Sequence, residues 1–248
     1  MSGHSKWAQI RRKKEKVDAQ RGRAFTRLIR EITVAARQGG GNPDTNARLR
    51  AAIDMAKAQN MPQDNIKKAI MRGTGELESV NYEEINYEGY GPCGVAILIE
   101  ALTDNKNRTT SEIRHILSHH GGNLGENGCV SWMFKDKGII YIDKEKIDEE
   151  KLLMIALDAS AEDVITEDDA YQIITSPKEF ERVISMLKDK GVEYNSAELT
   201  KSPQSTVKIG EKDAKTILKL MDALEEHDDV QHVYANFDIP DELLNEVA

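Results

Sequence analysis

The start of the chain is rich in lysine and arginine, and these are the residues of the sequence best suited to binding an anionic partner. Lysine and arginine neutralise phosphates and release the counterions that condense on a polyanion. Trp7 and Phe25 stand among them and offer planar surfaces, although either ring can instead pack into the protein. We predict nucleic-acid binding by the following residues of this arm: Lys6, Trp7, Arg11, Arg12, Lys13, Lys14, Lys16 and Arg21.

A second cationic group lies on a helix predicted over residues 17–38. A run of three glycines follows and ends this helix. The apolar residues of this segment fall within an arc of about 120°, at about 100° per residue. They are Phe25, Leu28, Ile29, Ile32, Ala35 and Ala36. The arginines fall within about 80° on the opposite side. These arginines, Arg23, Arg27, Arg30 and Arg37, complete the predicted phosphate-binding set, unless they form an ordinary solvated helix face.

The two parts of the chain carry opposite charge. Residues 1–75 hold 17 Lys and Arg against six Asp and Glu, whereas residues 76–248 hold 17 against 37. The formal net charge of −9 therefore combines a basic front with an acidic remainder. Such asymmetry indicates a nucleic acid or another anionic surface as the partner.

Three other segments have residues that could form a binding site. Residues 89–94 resemble a phosphate-cradling turn but lack the ending of a P-loop and precede a strand, which favours a structural turn. Residues 102–109 bring hydroxyls, amides and two cations to a helix start, where they either bind an anion or cap the helix. His115 and His119 have the i, i+4 spacing of metal ligands, but no third ligand follows at a spacing typical of metal sites.

No catalytic or cofactor motif stands out in the sequence. There is no nucleophile elbow and no dinucleotide fingerprint, so we expect a non-enzymatic protein without cofactor or metal. The longest apolar runs are too short to span a bilayer, and the first residues lack a signal-peptide core. With only Cys93 and Cys129, we expect reduced thiols and a cytoplasmic location, away from membranes.

Three amphipathic helices are predicted in residues 1–75. The second should begin with Asn42 as its cap and Pro43 at its first helical position, and the third should run from Pro62 to Gly73. A linker follows at residues 73–75, where the charge changes sign.

Strands and helices alternate beyond residue 75. Strands are predicted at 82–90, 95–101 and 129–134, with a helix capped by Thr109 or Thr110 between the last two. Residues 136–205 then follow the order βαββαβ, which is that of a ferredoxin-like domain. The final helix and strand lack partners of their own, so we assign them to the earlier sheet. The predicted domains are 1–75, a discontinuous α+β domain of 76–135 with 206–248, and 136–205 inserted in it.

Seven short motifs give the chain a family resemblance. They are residues 3–7 (GHSKW), 35–40 (AARQGG), 61–66 (MPQDNI), 72–75 (RGTG), 87–92 (YEGYGP), 102–109 (LTDNKNRT) and 121–125 (GGNLG). In these motifs the chain resembles the YebC/PmpR family nearly from end to end. One departure is Cys93, where the family more often has glycine.

This resemblance implies a helical N-terminal domain and two α+β domains, with the ferredoxin-like third inserted in the second. It also implies a cytoplasmic regulator of gene expression that is not an enzyme. We expect a DNA-binding transcriptional regulator whose acidic α+β domains are available to a protein partner. The alternatives are an RNA- or ribosome-associated translation factor, and a ligand-binding or enzymatic module that its basic arm merely localises.

Overall fold

The structure is a computed structural model that describes residue 7 and residues 21–78, 80–167 and 169–239, excluding the side chains of residues 21–23. The described chain divides into two compact units. Trp132–Thr206 form one unit, and the described residues before and after this stretch form the other. One continuous segment is therefore inserted into a unit whose own sequence is interrupted.

The discontinuous unit starts with three helices: α1 (Arg21–Gly39), α2 (Ala47–Ala58) and α3 (Gln63–Thr74). Apolar residues of the three helices pack into one core, and Phe25, Leu28 and Ile29 of the predicted apolar face of α1 are partly buried against it. That core consists of Ile32, Ala35, Ala36, Leu49, Ala52, Ile53, Ala56, Met61, Ile66 and Ala69. The spacing of apolar residues in α1 thus predicted correctly which side of this helix packs inward.

The start of α2 differs from the prediction. Its cap is Asn46, whose side-chain oxygen accepts a hydrogen bond from the amide of Leu49 at 3.0 Å. The amide nitrogen of Asn46 donates to the carbonyl oxygens of Ala35 and Gly40, so the same side chain fixes the turn between α1 and α2. The predicted cap, Asn42, instead accepts from the amide of Asp44 within that turn.

Helices α1 and α3 meet at Gly73. A Cβ atom built there would lie 2.4 Å from the carbonyl oxygen of Thr33 and 2.6 Å from the Cβ of Ala36. Only glycine permits this separation, because real Cβ contacts do not come so close. After α3, Gly75 ends the helix with a left-handed φ of 84°.

The same unit continues into an antiparallel sheet in the order β3-β1-β2-β9. Its strands are β1 (Glu83–Tyr90), β2 (Ala96–Thr103), β3 (Asn123–Leu124) and β9 (Val230–Ala235). Helices α4 (Lys106–His119) and α7 (Glu211–Glu225) share a core with this sheet that includes Ile97, Ile99, Ile113 and Ile217. The strand after the insertion therefore completes the sheet begun before it, and β8 (Val207–Lys208) pairs in parallel with β10 (Phe237–Asp238).

The predicted strand at residues 129–134 is wrong, because its first residues bind a side chain instead. The carboxylate of Glu88 is 5% exposed and accepts hydrogen bonds from the backbone amides of Gly128, Val130 and Ser131, each at 2.7 Å. Burial alone would raise the pKa of Glu88, but these three donors outweigh it and lower the pKa. The loop is folded around this charge, and regular strand structure begins only at Phe134.

The inserted unit contains β4 (Phe134–Asp143), α5 (Glu149–Asp158), β5 (Asp163–Thr166), β6 (Ala170–Thr175), α6 (Phe180–Asp189) and β7 (Ser196–Pro203). Its antiparallel sheet has the order β5-β6-β4-β7. The predicted βαββαβ order is confirmed, and with it the mixed α and α+β multidomain fold class. Among the described helices, none combines the length and apolarity needed to cross a bilayer.

Candidate nucleic-acid interface

Part of the predicted binding set lies outside the described residues. This part comprises Lys6, Arg11, Arg12, Lys13, Lys14 and Lys16, and it also includes the side chains of Arg21 and Arg23. Arg21 and Arg23 themselves lie in the first turn of α1. Their role in binding therefore stays a prediction from the sequence.

Trp7 is buried in the core of the α+β region. Its side chain is 2% exposed and belongs to the same cluster as Ile217 and Leu224 of α7. Its indole nitrogen donates a hydrogen bond to Oε1 of Glu225 at 2.8 Å. This placement corrects the predicted nucleic-acid contact, because a ring that fills a core has no free face for a base.

Arg30 is also committed to contacts within the chain. Its guanidinium lies 2.7 Å from the carboxylate of Asp229, donates to the carbonyl oxygen of Asp228 at 2.6 Å and lies 5.4 Å from the ring centre of Tyr82. The side chain of Arg30 is only 15% exposed. Arg30 was predicted to bind phosphate, and the structure corrects this because a carboxylate already occupies that role.

Two further arginines on this face of α1, Arg27 and Arg37, also lack full exposure to solvent. Arg37 donates to the side-chain oxygen of Asn81 at 2.8 Å and to the carbonyl oxygen of Val80 at 3.1 Å, and Arg27 is partly buried. The cationic stripe predicted from helical spacing thus contains arginines that attach α1 to the segment that follows α3. Its described members do not form an open phosphate-binding surface.

Asp229 is the anion held at the strand-to-helix corner of residues 102–109. Its carboxylate is 3% exposed and accepts hydrogen bonds from Thr109 at 2.6 Å, Arg108 at 2.8 Å and Thr103 at 3.1 Å. Burial would raise the pKa of Asp229, but the hydrogen bonds from Thr109 and Arg108 and the ion pair with Arg30 lower it to about 2. The corner is therefore occupied by an internal carboxylate, and α4 is capped by Asn105, neither by Thr109 nor by Thr110.

Asp229 also belongs to the one group of candidate metal ligands among the described residues, with Glu112 and His227. Nδ1 of His227 accepts from the amide of Asp229, so Nε2 carries the proton and donates to Glu112 at 2.8 Å. Both ring nitrogens are thus used, and two guanidinium groups adjoin the carboxylate of Asp229. This arrangement is a hydrogen-bond network, with no lone pair of His227 left for a metal.

The described helices do leave cations open on α3. Lys67, Lys68 and Arg72 are all exposed, on the side of the helix away from the buried Ile66 and Ala69. Within the described ranges, none of the three forms an ion pair with a carboxylate. These residues were not among those predicted to bind, although the helical spacing of the buried residues was enough to place them on the outer face.

Comparison with known proteins accounts for nearly the whole chain. The family model described as "TACO1/YebC protein N-terminal domain" matches residues 5–76, and "TACO1/YebC second and third domain" matches residues 82–237. The chain belongs to the TACO1/YebC family. The resemblance inferred from the seven sequence motifs is thereby confirmed.

Relatives within the TACO1/YebC family match over full length. Proteins named "Probable transcriptional regulatory protein" from Dictyoglomus turgidum and Persephonella marina are each 57% identical, over 100% of both chains. The crystal structure of a conserved hypothetical protein from Aquifex aeolicus is 52% identical with a TM-score of 0.82, covering 90% of this chain and 93% of that one. The exposed cations of α3 lie inside the segment that matches the family's N-terminal domain.

Proposed function

We propose that this TACO1/YebC protein regulates gene expression by binding duplex DNA through residues 1–75. The observation that carries the proposal is the exposed cationic face of α3, formed by Lys67, Lys68 and Arg72. The names of the full-length relatives support a role in transcription regulation. On this view the discontinuous domain of 76–135 with 206–248 and the domain of 136–205 do not bind the nucleic acid.

A rigid helix suits phosphate binding better than scattered surface charges do. Lys67 and Lys68 are adjacent, and Arg72 follows one turn after Lys68, so the three cations share the outer side of α3. The apolar residues of the opposite side hold α3 on α1 and α2, and the cations can therefore meet a phosphate backbone without reorganising the fold. One acidic residue of α3, Asp64, is also exposed, so the three cations outnumber the negative charge on this helix.

The basic segment before α1 would extend this surface. Six cations fall within residues 6–16, and Arg21 and Arg23 follow in α1. On duplex DNA, the logarithm of the binding constant falls as the logarithm of the salt concentration rises. Each phosphate that such cations neutralise makes this slope steeper by about 0.9. The acidic remainder of the chain repels the same polyanion, which favours approach through residues 1–75.

The test is a triple charge reversal on α3, Lys67→Glu with Lys68→Glu and Arg72→Glu. Binding of a fluorescent duplex is measured by anisotropy across a series of salt concentrations. We expect the affinity to fall by more than about tenfold and the salt slope to decrease by about 2 to 3, because up to three phosphate contacts are lost. The matched control is the triple reversal of Lys212, Lys215 and Lys219, which are exposed on α7.

The outcomes separate the competing functions. An unchanged isotherm for the α3 variant would show that this helix does not bind DNA. The native protein is titrated with a structured RNA in parallel, and tighter binding of the RNA than of the duplex would favour the translation-factor alternative. Equal losses in the α3 and α7 variants would indicate only a general effect of net charge.

A further inference from the structure

Helix α5 of the inserted unit carries apolar residues on the side that faces solvent as well as on its buried side, next to the exposed Glu149 and Glu150. Leu152 and Ala156 are buried in the core of this unit. On the outer side, Leu157 is 79% exposed, Met154 65% and Leu153 45%. Three large apolar side chains exposed together on one helix form a patch, which marks an interaction site more often than single exposed apolar residues do. The outer face of α5 therefore has the composition of a contact surface.

A groove of about 780 Å³ runs beside this face and is bordered by four lysines. They are Lys144, Lys146, Lys151 and Lys190. Met154 and Ile155 of α5 line the same groove, as does Tyr171, whose ring centre lies 5.9 Å from the ammonium of Lys144. The apolar face of α5 and the lysine border are therefore continuous through Met154.

The lysine border contrasts with the rest of the inserted unit. Residues 132–206 contain ten Lys and Arg against 17 Asp and Glu, yet four of those ten cations surround this groove. In the part of the chain that the structure describes, no carboxylate forms an ion pair with any of the four. Glu145, Asp148 and Asp158 also line the groove, and Asp148 is used as the cap of α5 through the amide of Glu150.

We infer that the outer face of α5 and its lysine border form a docking surface for an acidic amphipathic helix of a partner protein. Leu153 and Leu157 are one turn apart and would receive the apolar residues of that helix, while its carboxylates would meet the lysines. The surface lies on the inserted unit, so the inference does not depend on the proposed DNA binding.

Other occupants fit this surface less well. A phosphate backbone would gain nothing from three exposed apolar side chains. A second copy of the chain, related by a two-fold axis, would place the same lysines opposite one another. An acidic helix satisfies both the apolar face and the cations, and α5 itself, at about 15 Å long, offers nearly three turns of contact.

The test uses two labelled synthetic helices of about 18 residues. Both carry leucine on one face, and the remaining positions are glutamate in one peptide and lysine in the other. Anisotropy with the full chain should show at least about tenfold tighter binding of the glutamate peptide. Equal binding of the two peptides would overturn the inference.

Two pairs of substitutions locate the site. Met154→Glu with Leu157→Glu removes the apolar contact, and Lys151→Glu with Lys190→Glu reverses the border. Each pair should weaken the glutamate peptide by at least about tenfold. Leu199→Glu, at another exposed leucine of the unit, and Lys178→Glu with Lys188→Glu should leave binding unchanged.

Three results count against the acidic helix. Unchanged peptide affinity in both pairs would place the contact elsewhere. Weakened binding of single-stranded RNA, with peptide affinity intact, would identify a nucleic-acid surface. A monomer–dimer equilibrium in sedimentation that Leu157→Glu abolishes would identify a second copy as the occupant.

Discussion

The carboxylate of Asp229 connects residues that are far apart in the sequence. It accepts hydrogen bonds from Thr103 and Thr109 at the end of β2 and the start of α4, and it pairs with Arg30 of α1 and with Arg108. The helical region is thus attached to the α+β sheet through one buried charge. A buried charge is stable only when it is paired and hydrogen-bonded, and Asp229 satisfies both conditions.

We predict that Asp229→Asn destabilises the protein by about 3 kcal/mol, because Arg30 and Arg108 lose their counter-charge. Chemical unfolding at neutral pH measures this difference. Asp228→Asn is the matched control, since Asp228 is exposed and only its backbone carbonyl contacts Arg30. Equal stability of the two variants would show that the buried carboxylate is not needed.

The pH dependence of this effect follows from the pKa of Asp229. Its value is lowered from 3.8 to about 2, so the folded protein holds the carboxylate charged over a wider range than the unfolded chain does. The stabilisation is fully present above pH 3.8 and is lost as the pH falls through 2. The stability difference between the native protein and Asp229→Asn should therefore shrink in acid.

At the scale of the element, α1 shows what helical spacing can and cannot predict. The spacing identified the helix and its apolar face correctly. It could not show that the opposite face also packs, because Arg30 pairs with a residue 199 positions later and Arg37 with one 44 positions later. A pattern within one helix cannot reveal partners that lie so far along the sequence.

The contact between α1 and α3 gives a prediction for Gly73. In Gly73→Ala the new methyl group would collide with the carbonyl of Thr33 and the side chain of Ala36, so the helices must separate. We expect a loss of about 1 to 3 kcal/mol, despite the better helix propensity of alanine. Thermal unfolding measures the change. Gly210→Ala, where the Cβ meets no atom within 4 Å, should change stability by less than about 1 kcal/mol.

The loop around Glu88 shows a second limit of local patterns. Residues 129–134 have the apolar composition of a strand, but a carboxylate 40 positions earlier takes the amide of Gly128, and it also takes the amides of Val130 and Ser131. These donors are therefore not available to a strand partner. The sequence pattern indicates which structure a segment prefers, but it does not show which acceptors its backbone amides bind in the folded protein.

At the scale of the whole molecule, the sequence predicted the inserted unit more fully than the candidate interface. The βαββαβ order is contiguous, so each element and its neighbours lie within one stretch of sequence. The interface depends on which cations remain exposed after packing. Lys67, Lys68 and Arg72 remain so, whereas Arg30 does not.

Trp7 near the start of the chain contacts Glu225 near its end, and this contact gives a prediction. In Trp132→Phe, Trp7 is the sole tryptophan, and its buried indole should emit at short wavelength and resist acrylamide quenching. Adding duplex DNA should leave this emission unchanged, because the ring contacts the core and Glu225. Steady-state fluorescence measures both properties. Quenching by DNA would instead indicate a stacked base.

The interrupted sheet has a consequence for folding during synthesis. The inserted unit has all of its strands once residue 203 has been added, so it can fold while the chain is still growing. The sheet of β1 and β2 must wait, because its other edge strand is β9 and Trp7 bonds to Glu225. The sheet that begins before the insertion is therefore the last to complete its core, and until β9 is added the free edge of β2 can pair with neighbouring chains.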